Sequence, residues 1–214
     1  MSTAGLGLLI SNLSFGYGDQ PLFEKWSTHL SAGLTWIQGD EGSGKSTLLR
    51  LMSGTLSAQA GGLSINGVSL NDRADAYCSQ VFWTEPRSEV FDSMSPMEYF
   101  DTLRPKHPQF NTGLLASLQE ALDLNPHLSK KLYMLSNGSK RKVWLAAAFA
   151  SGAALTLIDD PFAALDQPSI KVIRQLLEDA ANQTTRTFVV ANYEVPEGLE
   201  VTKVIELSPP PASH

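Results

Sequence analysis

The chain has 214 residues, 43% of them hydrophobic, and a formal net charge of −6. That length and apolar content suffice for a real core in one or two domains, and the acidic balance excludes a nucleic-acid grip driven by bulk charge. The single cysteine, Cys78, excludes an internal disulfide framework and suits a reducing compartment; its expected role is that of a small buried apolar residue.

The first ten residues carry no basic segment and no long apolar core, so no signal peptide is expected. No stretch approaches the roughly 18 to 20 apolar residues needed to cross a bilayer. A soluble, cytoplasmic protein is the expectation, reaching a membrane only if another chain carries it there. Leu8 to Leu13 reads as a strand that ends near Phe15-Gly16-Tyr17-Gly18-Asp19, and a second runs from about Phe23 to Leu30. Ser31-Ala32-Gly33 turns the chain into Leu34-Thr35-Trp36-Ile37-Gln38, an apolar run suited to a buried strand. Next comes Gly39-Asp40-Glu41-Gly42-Ser43-Gly44-Lys45-Ser46-Thr47, which fits G-x-x-x-x-G-K-[ST], followed by Leu48 to Met52 as a helix.

Strand, Gly-rich turn and helix in that order form the context a phosphate-binding loop needs. Its glycines let successive backbone N–H groups curl around phosphate oxygens, and the helix N-terminus adds partial positive charge. Lys45 is expected to reach the β and γ phosphates of a nucleotide, and the Ser46 hydroxyl to hold Mg²⁺.

Leu63-Ser64-Ile65, Asn66-Gly67 and Val68-Ser69-Leu70 spell a hairpin, because Asn-Gly suits a type I′ turn. Ala76 to Phe82 is expected to be a further short strand. From about Ser88 to Leu135 the pattern becomes helical. Ser95-Pro96 offers an N-cap and a first-position proline. Asn111 to Leu122 places Leu114, Leu115, Leu118, Ala121 and Leu122 at helical spacing. Ser139 to Ala150 reads as an alanine-rich helix, Ala154 to Ile158 as a buried strand ending in Asp159-Asp160, and Ser169 to Ala181 as a helix with Pro168 at its start. Thr187 to Ala191 is another buried strand, Val201 to Leu207 closes the sheet, and residues 208–214 form a Pro-rich tail expected to be mobile. Strand–helix alternation of this kind implies an α/β fold with a parallel sheet covered on both faces. The expected organisation is one domain spanning 1–214. About 1–87 and 152–208 would build the α/β core with its β subdomain, about 88–151 an inserted helical subdomain, and 209–214 a flexible end.

A phosphate loop needs a carboxylate near Mg²⁺, and the C-terminal end of a neighbouring strand is the place for it. Asp159 is that candidate. Asp160 could polarise an attacking water as a general base. Lys140-Arg141-Lys142 reads as a charged helix face, the alternative being a ligand role, and His29, His107, His127 and His214 as surface or loop residues.

Taken together, the phosphate loop, Gln80, Leu135-Ser136-Asn137-Gly138-Ser139, Ile158-Asp159-Asp160-Pro161 and Ala164-Leu165-Asp166 resemble the ATP-binding cassette of ABC transporters, over about Leu8 to Leu207. The resemblance implies a P-loop NTPase fold: a RecA-like core, an antiparallel β subdomain and an inserted helical subdomain. It places Gly39, Gly42, Ser43, Gly44, Lys45, Ser46 and Thr47 on ATP phosphates and Mg²⁺, and Tyr17 on adenine, where the alternative is a plain turn tyrosine. Gln80 matches the glutamine that senses Mg²⁺ and contacts the transmembrane partner; a surface glutamine at a strand end is the alternative. Ser136 and Gly138 match the signature that faces the γ-phosphate of the opposite subunit, and Asp166 the loop that touches that subunit.

The match departs from the family in three places. The signature, usually Leu-Ser-Gly-Gly-Gln, keeps only its first two residues and Gly138. Asp160 replaces the usual catalytic Glu, one methylene shorter. Asn192 stands where a switch His is expected, able to donate a hydrogen bond but not to carry a proton. The implied protein is the ATP-binding subunit of a transporter, binding Mg-ATP at a dimer interface, with a separate permease in the membrane and no nucleic-acid partner, peripheral on the inner membrane face. Slow hydrolysis in a homodimer and a degenerate, binding-only cassette in a heterodimer both remain open. A soluble non-transport ABC ATPase is a further alternative, disfavoured by the single cassette and acidic charge. An unrelated phosphate-loop kinase or GTPase is opposed by the signature and by the lack of an Asn-Lys-x-Asp guanine reader.

Overall fold

The computed structural model describes residues 7–18, 20–85 and 88–208. The expected tail over 209–214, His214, Asp19 and the first six residues lie outside them.

Two sheets organise the described chain. β1 (Gly7–Tyr17), β2 (Gln20–Ser31), β4 (Ala60–Ile65) and β5 (Val68–Ser69) form an antiparallel sheet in the order β2-β1-β4-β5. β3 (Gly33–Gln38), β6 (Val81–Phe82), β7 (Leu155–Asp159), β8 (Thr187–Asn192) and β9 (Lys203–Glu206) form a parallel sheet in the order β6-β7-β8-β3-β9. The helices are α1 (Lys45–Ser53), α2 (Ala74–Cys78), α3 (Pro96–Leu103), α4 (Thr112–Ala121), α5 (Asn137–Ala150) and α6 (Gln167–Ala181). The α/β fold with an antiparallel and a parallel sheet is the one expected from the sequence.

Side chains of the parallel strands alternate between two cores, as a strand's two-residue period demands. Trp36, Ile158 and Val190 join one core with α3, α4, α5 and α6. Ile37, Leu157, Val189 and Ala191 join the other, where α1 lies between the parallel sheet and the inner face of the antiparallel one. Burial on both faces is why these strands read as continuous apolar runs rather than as alternating ones. The β4–β5 hairpin turns on Asn66 (φ 50°) and Gly67 (φ 78°), both in the left-handed region that a type I′ turn requires.

Several local expectations change. The segment 76–82 is not one strand: α2 ends at Cys78, and only Val81–Phe82 pairs with β7. The single helical turn buries Tyr77, whose hydroxyl donates to the Met52 carbonyl at 2.7 Å, and leaves Cys78 exposed rather than buried. α5 starts at Asn137, not Ser139, because the Ser136 hydroxyl accepts from the Ser139 N–H at 3.1 Å and caps the helix. His107 is buried, 7% exposed, with its ring 5.8 Å from that of Phe82; burial, chiefly, pushes its pKa down.

α3 opens on a complete capping box. Ser95 accepts from the Glu98 N–H, and the Glu98 carboxylate accepts from the Ser95 N–H at 2.6 Å and from Lys131 at 2.9 Å. The Ser95 backbone bond, then the Lys131 and Ser95 side chains, hold the Glu98 carboxyl at about 2. A depressed folded pKa gives stability that is present above the unfolded value and lost as pH falls through the folded one. Urea unfolding should therefore show Glu98→Gln less stable than wild type at neutral pH, with the gap shrinking below about pH 4 and vanishing near pH 2. A gap independent of pH would assign the effect to packing.

Candidate nucleotide site

In a parallel sheet all strand C-termini open on the same edge, and ligands bind there. β7, β8 and β3 are neighbours, so the loop after β3, the end of β7 and the end of β8 meet at one mouth. The loop turns through Gly42 (φ 79°) and Gly44 (φ 95°), left-handed conformations that glycine adopts without strain. Gly44 caps α1 without any side-chain hydrogen bond, so the first amides of the helix remain available to a ligand.

The cavity at this mouth is about 650 Å³ and is lined by Gly42, Gly44, Lys45, Ser46 and Thr47 from the loop and α1, Asp159 at the end of β7 and Asp160 just past it, Asn192 at the end of β8, and Tyr17 from β1. Lys45 Nζ donates to the carbonyls of Gly39 at 2.6 Å and Asp40 at 2.8 Å, and stands 5.0 Å from the ring centroid of Tyr193. Ser46 Oγ donates to Asp159 Oδ2 at 2.5 Å, joining residues 113 apart in sequence. The Tyr17 ring meets Phe15 edge-on with centroids 5.0 Å apart, its hydroxyl is 3.3 Å from Thr47 Oγ1, and 55% of it is exposed. Asn192 Oδ1 accepts from the Tyr193 N–H at 2.8 Å, which leaves its amide hydrogens as donors.

Two observations test the fit of a phosphate ligand and a divalent cation. Ser43 Oγ is buried, 2% exposed, and has no protein partner, an arrangement that is costly for a hydroxyl unless something else satisfies it. Burial, above all, pushes the Asp159 carboxyl up, and the Asp160 charge adds to it against the opposing Ser46 hydroxyl, Arg141 and Lys45. A carboxylate so placed, beside a hydroxyl, is an oxygen donor set suited to a hard cation. Both groups fit.

Other expected site residues lie elsewhere. Gln80 precedes β6 at the opposite end of the sheet: its carbonyl accepts from Leu155 N–H at the start of β7, while Asp159 ends that strand, roughly 13 Å farther at ~3.3 Å per residue. The Gln80 side chain bonds Asn66 and the Ala76 carbonyl. This placement corrects its assignment to Mg²⁺, and the cause is the short helix α2 where a strand was expected. Glu85, just past β6, lines the cavity instead and is ion-paired with Arg50 of α1. Gln80→Ala is accordingly expected to leave ATP affinity within about twofold of wild type, whereas Glu85→Ala, which strands Arg50 in the cavity wall, should change it; a titration of both variants decides. Ser136 and Gly138 are not in this cavity; they start α5, with Ser136 and Asn137 exposed.

Sequence reasoning also passed over Trp83, Arg141 and Tyr193, which line the cavity. Arg141 belongs to the triplet read as a charged face. Lys140 does pair with Asp92 at 2.7 Å and Lys142 with Asp166 at 2.5 Å, but Arg141 turns inward to the carbonyls of Asp159 and Asp160. Helical spacing holds the signal: three consecutive residues cannot share one helix face.

Residues 24–163 match the family profile described as "ABC transporter". The Cytochrome c biogenesis ATP-binding export protein CcmA of Idiomarina loihiensis is 32% identical over 161 residues, which cover 74% of this chain and 72% of that protein. A solved putative ABC transporter (ATP-binding protein) from Pyrococcus furiosus superposes with a TM-score of 0.74 at 26% identity, over 94% of this chain and 96% of that one. A dimeric bacterial ABC transporter cassette superposes with a TM-score of 0.75, over 94% of each chain, and at 19% identity this likeness concerns the fold alone.

Proposed function

The chain belongs to the ABC transporter family, and on that premise we propose that it is the ATP-binding subunit of a transporter, holding Mg-ATP and coupling ATP binding and slow hydrolysis to transport by a separate membrane subunit. The observation that carries this reading is the convergence of Lys45, the Ser46–Asp159 pair, Asp160 and Asn192 on one cavity. Among the described residues no helix is long and apolar enough to cross a membrane; in this proposal the permease is a separate chain and the subunit sits at the inner, cytoplasmic face.

In this reading the loop amides and Lys45 hold the triphosphate, and Tyr17 offers its exposed face to adenine. Ser46 and Asp159 would hold Mg²⁺, which when bound would neutralise developing charge on the phosphate oxygens. Asp160 accepts the proton of the attacking water, and the Asn192 amide donates to the γ-phosphate. The Asp160 carboxylate is one methylene short of the usual Glu, and a displacement of ~1 Å in a near-attack geometry lowers the rate on the order of a hundredfold. Slow turnover follows. The start of α5, with Ser136 exposed, completes the site of a second cassette through Ser136 and Gly138. Gln80 has no part in it.

A binding-only role beside a second, active cassette is the alternative, and Asp160 and Asn192 standing where Glu and His are usual is what favours it. Steady-state ATP hydrolysis at high protein concentration with Mg²⁺, alongside nucleotide binding and a Lys45→Ala control, separates the two. Turnover that vanishes in the control upholds the slow motor; binding without turnover upholds the regulatory subunit.

A further inference from the structure

We propose that Arg141 is a positioning residue: its guanidinium clamps the backbone at Asp159–Asp160 and so holds the Asp160 carboxylate at the cavity. This rests on the reading of Asp160 as the proton acceptor. Arg141 Nη1 donates to the Asp159 carbonyl at 3.1 Å and to the Asp160 carbonyl. Asp160 has φ 48°, a left-handed conformation disfavoured for any residue with a Cβ, and its own N–H donates to the Ala191 carbonyl at 2.8 Å. Its peptide groups are thus held on both sides, by β8 through the N–H and by α5 through the C=O. A strained conformation persists only where its surroundings over-determine it, and here Arg141 supplies half of that restraint.

The rest of the same loop is fastened to α5 as well. A Cβ on Gly138 would lie 2.3 Å from the Ala164 carbonyl oxygen, so the helix start and the loop meet backbone to backbone. Ala164 is left-handed too, at φ 59°. Lys142, whose side chain is 13% exposed, pairs with Asp166 at 2.5 Å, and Asp166 caps α6 by accepting from the Ser169 N–H at 2.8 Å. The loop from Asp160 to Asp166 therefore leans on the first turns of α5 at its front, middle and rear. Arg suits the front position because its long side chain brings one Nη1, with two hydrogens, to both carbonyls; the shorter stem of Lys carries its ammonium less far. A shift of the exposed end of α5 would be felt at Asp160.

The test compares wild type, Arg141→Ala, Arg141→Lys and Asp160→Asn. Amide hydrogen exchange is read without nucleotide, ATP affinity by titration, and kcat and KM separately. Arg141→Ala should speed exchange at the amides of 160 and 162–165 by about tenfold or more while amides of 143–150 stay protected. It should lower kcat by about tenfold to a hundredfold and leave ATP affinity within about threefold of wild type. Arg141→Lys should fall between, and adding Arg141→Ala to Asp160→Asn should cost no further activity. Unchanged exchange in the loop overturns the clamp, as does lost affinity with intact kcat, which would make Arg141 a phosphate ligand. A wild-type chain without turnover refutes hydrolysis, not the clamp: exchange in the Ala and Lys variants decides that independently.

Discussion

Lys45→Ala should weaken ATP binding by about a hundredfold, because a hydrogen-bonded charge on a phosphate contributes about 1.5–3 kcal/mol. The ammonium is the one cation carried by the loop itself; its neighbours Asp40 and Glu41 are acidic, and Arg50 farther along α1 is ion-paired with Glu85. Its removal also frees the carbonyls of Gly39 and Asp40, which it now ties together, and the loop's glycines give it freedom to open once that tie is gone. The core beneath is untouched, since Leu48, Leu49, Leu51 and Met52 of α1 stay buried. The nucleotide-free variant should therefore melt within a few degrees of wild type, while the rise in melting temperature caused by ATP, a mass-action effect, should disappear. Unchanged affinity in a titration would remove the phosphate-loop assignment.

Asp160→Asn should leave ATP affinity within about threefold of wild type and lower turnover by about a hundredfold or more, because the amide cannot accept a proton from water. Asp160→Glu should act in the opposite direction. Its extra methylene moves the carboxylate ~1 Å farther into the cavity, and turnover should rise by about tenfold if reach is what limits the reaction. The backbone carbonyl is held by Arg141 and the N–H by Ala191, so the longer side chain would extend from an unchanged base. Steady-state kinetics on the three proteins decides. Equal, non-zero rates in all three would mean that Asp160 does not take the proton, whereas ATP binding without turnover in any of them would uphold the binding-only reading.

Much of this site is legible in the sequence because it is local. Gly39 to Thr47 is one continuous segment whose glycine spacing dictates its curl, and the strand and helix beside it follow from apolar runs of strand and helix length. The capping residues Ser95 and Asn111 are equally local, each a few bonds from the amides it satisfies. Even Asp159 could be placed, since the last residue of a buried parallel strand has to emerge on the ligand-binding edge.

What escaped has a common cause. Gln80 and Glu85 are five residues apart, and which of them reaches the cavity depends on whether α2 is helix or strand, a choice made by Tyr77 packing beneath Met52 and not by propensity. Cys78 is exposed and His107 buried for the same kind of reason, the demands of neighbours distant in the chain. Arg141 lies in a run of three basic residues, and nothing local distinguishes it from Lys140 and Lys142. Its partners are carbonyls 18 and 19 residues away, brought within reach by the docking of α5 on β7. The curl of the phosphate loop and the runs that become strands were legible in the sequence, because glycine conformation and apolar periodicity act over a few residues. Which charged groups surround that loop was settled by packing, because an ion pair or a carbonyl clamp is specified by the distance between elements, and that distance exists only once both cores have closed.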